Sequence, residues 1–331
     1  MLRRNWIAFV LTLGLGMTLV GCGQPSATQV VRQLQSLQSN LTSYKSTAMM
    51  TVQVQGTAER YFVETWYRAP DQYRIALGNE NRDISQIILR NNQGIYIVSP
   101  GIKKIIRFQG DWAERQGQLY LYNALLSRIV AASEPSYTTR DKVVTFELGA
   151  ESINPSVETQ RIELAQGTYA PVQVTLLDKK KQPLITMTYL SFDRNVNFPA
   201  NAFSTDQATT LEPIELPVSA QTQEFHVIEP TWVPQSDTVA DETDAGGIAM
   251  VRYDGPHPFT LVETRPTSAG QDLGSGQLLT IEGIPAVLLS QGNVHQLYWL
   301  YGGLSFALTS RMSIEDIVQV ASSTITDMGK S

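Results

Sequence analysis

Three histidines, one cysteine and a short acidic run are the residues of this 331-residue chain best suited to metal or nucleophile chemistry. His226, His257 and His295 are far apart, and no His-x-His or His-x-x-x-His spacing occurs that would suit zinc. His257 sits in the turn Gly255-Pro256-His257-Pro258 and His295 follows the hairpin pair Gly292-Asn293, so both read as surface or turn histidines. Asp237, Asp241, Glu242 and Asp244 precede Gly246-Gly247 and offer oxygens of the kind Ca²⁺ takes. Their spacing departs from the EF-hand loop, so the stretch 236–247 reads as a solvated acidic loop. The carboxylate pair Glu212 and Glu215 falls in a proline-flanked segment that builds no pocket. The sequence has no Gly-x-Ser-x-Gly, phosphate loop or dinucleotide fingerprint. These observations assign no catalytic residue, no metal ligand and no cofactor, and the chain reads as a non-enzyme.

The lone cysteine, Cys22, has a chemical context of its own. Arg3 and Arg4 form a basic start, and residues 6–20 are an apolar run without a charge. That run is short for a membrane-spanning helix, which needs about 20 residues, and fits the hydrophobic region of a secretory signal peptide. It ends in Leu19-Val20-Gly21-Cys22, which resembles the bacterial lipobox, where the cysteine thiol is acylated and becomes the new N-terminus. An ordinary signal peptide with a free cysteine, or an uncleaved anchor, is the alternative. Residues 1–21 are then a signal peptide and 22–27 a lipidated tether. Acyl chains at roughly 0.8 kcal/mol per buried CH₂ hold a protein on a membrane. This predicts an extracytoplasmic protein anchored by lipid to the outer face of the cell or forespore membrane.

Charge narrows the partners. Lys and Arg total 25 against 31 Asp and Glu, a net charge of −6, and losing Arg3 and Arg4 makes the remainder more acidic. Nucleic acid needs a basic surface and is excluded as a partner. An acidic body also adds no attraction to anionic lipids, so the membrane contact is the lipid on Cys22. Length gives a prior of two domains.

The periodicity from residue 28 predicts helix, then sheet. Val30, Val31, Leu34, Leu37 and Leu41 make one apolar helical face. Period-two alternation follows at 50–55 and 61–68, with further strands at 73–77, 86–90, 95–98 and 103–108. Asn91-Asn92-Gln93-Gly94 is a hairpin signal. Leu119, Tyr122, Leu125, Leu126, Ile129 and Val130 predict a second helix, and strands resume at 143–148, 160–164, 172–177 and 184–192. Lys179-Lys180-Lys181 reads as a solvated hairpin tip, with a lipid head-group contact as the lesser reading. Ten strands with short turns predict an antiparallel meander that curls around the two helices.

Here a resemblance enters. Tyr44-Lys45-Ser46, Val63-Glu64-Thr65-Trp66-Tyr67, Pro70-Asp71-Gln72-Tyr73-Arg74, Gln86-Ile87-Ile88-Leu89-Arg90-Asn91, Phe108-Gln109-Gly110-Asp111-Trp112 and Gln118-Leu119-Tyr120-Leu121-Tyr122 carry it by their order and spacing. Residues 28–205 resemble the sporulation and germination lipoproteins of spore-forming Gram-positive bacteria. These stand within the superfamily of lipoprotein carriers related to LolA, LolB and the stress sensor RseB. The resemblance implies an incomplete β-barrel with a helical lid over an apolar concavity, which holds acyl chains in the carriers. It places no ligand-contacting residue.

Residues 206–224 read as a linker, and 225–330 as a smaller, separate α+β domain. Strands are expected near 248–253, 259–265, 276–281, 284–291 and 294–301, and Ser313 opens a closing helix with Asp316 three residues on. The run 296–308 followed by Ser313-Ile314-Glu315-Asp316-Ile317-Val318 resembles a small extracytoplasmic module of unknown function found in Gram-positive lipoproteins and membrane regulators. The fold class is α+β throughout, with a curved antiparallel half-barrel first.

Tyr61, Phe62, Trp66, Tyr67, Tyr73, Phe108 and Trp112 crowd the first block. In a half-barrel the inner face is both core and cavity, so Met50, Val52, Trp66, Tyr73 and Ile75 form the candidate ligand-facing patch. Alternation alone leaves open which face of the second strand points inward, because both carry aromatics. Two functions follow: a non-enzymatic binding or regulatory lipoprotein in spore formation, germination or envelope maintenance, with a protein partner or a second copy; or reception of a lipid or lipoprotein acyl chain in the concavity. A shuttle must leave the membrane, which an anchored protein cannot do.

Overall fold

The structure, a computed structural model, describes residues 26–325 except 55–56, 110–118, 134, 153, 210–226 and 266–270. The signal peptide, Cys22 with its lipobox Leu19-Val20-Gly21, Trp112, His226 and most of the expected linker lie outside these residues.

Helix α1 (Ala27–Ser39) begins at Ser26, whose hydroxyl accepts from Gln29 N while the Gln29 side chain accepts from Ser26 N. That reciprocal pair satisfies donors the first turn leaves free. Strands β1 (Ser43–Val54), β2 (Thr57–Arg68), β3 (Gln72–Gly78), β4 (Ile84–Asn91), β5 (Gly94–Ser99) and β6 (Lys104–Gln109) follow as a meander. After α2 (Tyr122–Ala131) come β7 (Ser136–Arg140), β8 (Val143–Gly149), β9 (Thr159–Ala165), β10 (Pro171–Leu177) and β11 (Pro183–Arg194), which closes back onto β1. A short helix, α3 (Thr205–Thr209), follows. The C-terminal block holds β12 (Thr238–Ala245), β13 (Ile248–Asp254), β14 (Phe259–Thr264), β15 (Gln271–Ser275), β16 (Gln277–Ile281), β17 (Ile284–Gln291), β18 (Val294–Tyr301), β19 (Leu304–Ser310) and α4 (Ile314–Ile325).

The first sheet has twelve strands among the described residues, in the order β15-β6-β5-β4-β3-β2-β1-β11-β10-β9-β8-β7. Its ends do not pair, so it is open, and a sheet this wide curls. The curl shows in one continuous core that joins Ile106 of β6 to Phe146 of β8 through Val30 and Leu34 of α1 and Leu125, Leu126 and Ile129 of α2. Gln38 donates to Ser127 Oγ at 2.6 Å, tying the two helices together. The α+β class and the helices on the concave face agree with the sequence reading.

Ten strands become twelve for two reasons. β7 (Ser-Tyr-Thr-Thr-Arg) is polar apart from Tyr137, with an exposed–intermediate alternation that gives no apolar repeat. β15 comes from the C-terminal block and pairs parallel to β6. The expected hairpin tip is there: Asp178 Oδ1 accepts from Lys180 N and Gln182 N, and Lys181 Nζ turns back to Thr159 and Glu147.

The second sheet runs β12-β13-β14-β19-β18-β17-β16, antiparallel throughout. α4 lies on one face, where Ile317, Val320 and Ala321 join Val251, Leu261, Phe306 and Leu308. Trp299 stacks on Phe306 with centroids 5.0 Å apart. Ser313 caps α4, accepting from Asp316 N at 3.1 Å and donating to Asp316 Oδ2 at 2.8 Å. One expectation is corrected: most of the stretch 236–247 read as an acidic loop is the edge strand β12, exposed along its whole length, while Asp237 before it is buried. Charged side chains on an edge strand discourage pairing with other chains, and in composition they look like a loop.

Candidate functional site

Where the five residues of the candidate patch lie follows from strand register. Met50 opposes Tyr61, and Ile75 opposes Thr65 and Ile88. Met50, Val52 and Ile75 have no accessible surface, Tyr73 has 4 %, and all four sit in the core around α1 and α2. A residue that lines room for an acyl chain keeps surface that water can reach; these three keep none. Trp66 is not brought together with them. On β2, Val63 and Tyr67 point into that core, so Phe62, Glu64 and Trp66 point the other way. Trp66 stacks on Phe198 at 5.3 Å, under the Arg74 guanidinium at 4.7 Å and the Lys45 ammonium at 5.2 Å. Glu64 pairs with both cations, at 3.0 Å to Arg74 and 2.9 Å to Lys45. Phe198, Phe203 and Ala208 cover this outer face against Ala76, Ile87 and Leu89, which makes β3–β5 buried on both sides.

Tyrosines fix the helices into the concave face. The Tyr44 hydroxyl accepts from Tyr122 N at 2.9 Å and donates to Asn123 Oδ1 at 3.3 Å. Tyr122 donates to Tyr169 O at 2.6 Å, and the Tyr169 hydroxyl reaches Gln33 Oε1 on α1. Burial pushes the Tyr44, Tyr120 and Tyr122 phenols up, so they stay protonated donors.

The C-terminal block closes the rest of this core. Alternate residues of β16–β18 divide between two partners: Leu279, Ala286 and Trp299 face α4, while Leu278, Val287 and Leu300 join the first block's core. The turn between β16 and β17 reaches furthest. Glu282 and Gly283 have φ of 47° and 77°, the left-handed pair a two-residue hairpin favours. A Cβ on Gly283 would stand 2.6 Å from Met50 Cε and 3.5 Å from Val52 Cγ2. Met50 and Val52 are thus covered by the second block, a contact invisible to periodicity. The signal available was the continuous apolar runs Leu278-Leu279 and Val287-Leu288-Leu289, which read as strands buried on both faces.

A cleft of about 180 Å³ opens beside this junction. Tyr61, Leu77 and Ile84 line it from the first block, and Ile284, Leu300 and Leu304 from the second. Gln86 is its buried polar wall, 7 % exposed, with its amide nitrogen donating to Leu300 O. The Tyr61 hydroxyl donates to Glu59 Oε2 at 2.5 Å, and Tyr301, also in the lining, donates to the same oxygen at 3.4 Å. Burial raises the Tyr61 phenol strongly and takes Tyr301 up to about 12. Neither hydroxyl ionises near neutrality, and the rest of the lining is apolar apart from Gln86, Ser85 and Ser99, with Ser85 Oγ donating to Leu77 O at 3.3 Å.

Among the described residues no group of three or more His, Cys, Asp or Glu is placed to hold a metal. Asp237 Oδ1 accepts from His257 N at 3.1 Å, and His295 Nδ1 shares a hydrogen bond with Ser290 Oγ at 2.8 Å. No helix among the described residues is long and apolar enough to cross a membrane.

No family model matches the chain. Solved structures with a similar arrangement include the Pseudomonas aeruginosa MucA/MucB complex (15 % identity, 90 % of this chain and 97 % of that one, TM-score 0.33). Another is the GerS lipoprotein in complex with the CwlD amidase of Clostridioides difficile (14 % identity, 54 % of this chain and 98 % of that one, TM-score 0.23). A putative outer membrane lipoprotein-sorting protein domain from Vibrio parahaemolyticus is a third (12 % identity, 56 % and 100 %, TM-score 0.31). In sequence, the chain is similar along nearly its whole length to the sporulation protein YdcC of Bacillus subtilis (strain 168), at 28 % identity over 97 % of each chain.

Proposed function

We propose that this chain is an extracytoplasmic lipoprotein, held at the membrane by a lipid on Cys22, that serves sporulation by binding a protein partner and catalyses no reaction. The observation that carries this reading is the filled concave face. Met50, Val52 and Ile75 keep no accessible surface under α1, α2 and the Glu282-Gly283 turn. An acyl chain would need that volume. The similarity to a sporulation protein supports the process, and the run 6–22 supports the tether.

Native mass spectrometry of residues 24–331, which contain every described element, tests the binding mode. The expected result is a protein mass without lipid. A co-purified phospholipid or fatty acid would overturn the partner reading in favour of acyl-chain reception. The tether is tested on the full chain by metabolic labelling with palmitate. Label is expected on the parent and not on Cys22→Ala; label that survives the substitution rejects the lipobox.

A further inference from the structure

We propose that α1 lies along an anionic phospholipid surface, with Thr28, Arg32, Gln35 and Ser39 turned to the headgroups, so that the anchored body stands on the membrane in one orientation. This rests on the lipid at Cys22 proposed above and adds the face that the anchor presents to the bilayer.

Reach comes first. Cys22 precedes the Ser26 cap of α1 by four residues, which span at most about 14 Å whatever path they take. α1 has 13 residues, a length of about 20 Å. A lipid on Cys22 therefore holds the start of this helix at the membrane surface. The free face of the helix comes next. Thr28, Arg32, Gln35 and Ser39 recur at intervals of four, three and four, which is one stripe. All four are exposed, on the side away from Val30 and Leu34, which are fully buried. Arg32 Nε donates to Thr28 O at 3.4 Å and Ser39 Oγ to Gln35 O at 2.8 Å, both within the helix. Among the described residues no hydrogen bond or ion pair from this stripe reaches another element. Gln33 and Gln38, off the stripe, make the contacts to Tyr169 and Ser127.

Charge decides what lies against the stripe. The chain carries 31 acids and a net charge of −6, so an anionic bilayer repels most of its surface. Yet no Asp or Glu precedes Glu59. The first turn of α1, where helices favour acids, has none. α2, tied to α1 through Ser127, has none either. The two helices together carry Arg32 and Arg128 and no acid. The element that the tether brings to the membrane is thus the one that an anionic surface does not repel. Thr, Gln and Ser hydrogen-bond headgroups, and with no large apolar side chain on the stripe the helix rests on the surface without inserting. Arg32 adds attraction to anionic lipid. The other basic group, Lys179-Lys180-Lys181, sits at the tip of a distant hairpin, where Lys181 already pairs with Glu147.

The test uses the full acylated chain in vesicles of phosphatidylcholine and phosphatidylglycerol that carry a nitroxide on some headgroups. Acylation consumes the Cys22 thiol, so a fluorophore reacts with one introduced cysteine: Thr28→Cys, Ser39→Cys or, on the lysine tip, Lys180→Cys. Quenching is expected at both Thr28→Cys and Ser39→Cys and not at Lys180→Cys. Adding Arg32→Glu to Ser39→Cys should shift the docked-to-undocked ratio roughly thirty-fold toward undocked, as two unit charges near an anionic surface predict. Quenching at Thr28→Cys without Ser39→Cys would stand the helix on end and overturn the proposal. Quenching at Lys180→Cys in place of Ser39→Cys would overturn it in favour of the lysine tip. An unquenched helix on a chain that still takes palmitate at Cys22, or equal quenching with Arg32→Glu, would overturn it too. Absence of palmitate on the parent chain would instead reject the tether itself, so the two failures are separable.

Discussion

The hydroxyl of Tyr120 donates to the carbonyl oxygen of Gly283 at 2.6 Å, joining residues 163 positions apart. Tyr120 belongs to the stretch leading into α2, and Gly283 to the hairpin turn that covers Met50 and Val52. Both are buried, so this bond fastens the second block over the mouth of the first. The backbone of the same stretch is held from the other side, where Thr65 Oγ1 donates to Tyr120 O at 3.5 Å.

Tyr120→Phe keeps the ring and removes the donor. The Gly283 carbonyl is then left without that partner in a buried place, which costs about 1–3 kcal/mol. Urea denaturation should show the midpoint lowered with the slope unchanged. An unchanged midpoint would mean that the junction contributes nothing to stability.

The two faces of β2–β3 should respond differently to truncation. Ile75 has no accessible surface, and Ile75→Ala should cost about 2–5 kcal/mol through lost burial and a cavity. Trp66 is only partly buried, between Phe198 and Arg74, and Trp66→Ala should cost less, about 1–3 kcal/mol. Paired urea titrations give the order. The reverse order would put the main core on the Trp66 face.

Much of the fold was legible because the signals were local. The hairpin at Asn91–Gly94, the Ser313 cap and the apolar stripe of α1 each appear where the spacing puts them. The face of β2 was not legible: Phe62 and Trp66 alternate with Val63 and Tyr67, so both faces look apolar, and only packing against α1 and α2 chooses between them. The cleft was invisible for a related reason. Its walls, such as Leu77 and Leu304, lie more than two hundred residues apart, and no periodicity relates one sheet to another. β15 was missed because Gln-Asp-Leu-Gly-Ser has little strand propensity and forms only by pairing with β6.

Glu263 predicts a pH dependence. It is 1 % exposed, both its oxygens accept from Ile228 N at 3.0 and 3.1 Å, and burial raises its pKa from 4.5 to about 7. Between these values the folded protein holds a proton that the unfolded chain has lost. Stability from this group is therefore fully present below about pH 4.5, falls as pH rises to 7, and is level above. The loss is on the order of 3 kcal/mol. Urea midpoints at pH 5, 6, 7 and 8 should fall in the parent and flatten in that window in Glu263→Gln. A slope that persists in the variant would assign it to another group.

The edge strand β12 carries the last prediction. Glu242 and Asp244 oppose Val251 and Ala249, which are buried, so both acids stand on the core-facing side of the sheet yet remain exposed beyond it. Val239, Ile248 and Met250 are exposed large hydrophobics on β12 and its neighbour β13. An edge with this much apolar surface invites a second strand, and charges on its core-facing side oppose that pairing. Replacing both acids, Glu242→Val with Asp244→Val, removes the charge and raises strand propensity together. Light scattering after size exclusion, across a concentration series, should show the double variant associating at concentrations where the parent does not. Glu242→Gln with Asp244→Asn, which removes charge without adding apolar surface, should fall between the two. A double valine variant with the parent's mass at every concentration would mean that the acids do not guard this edge.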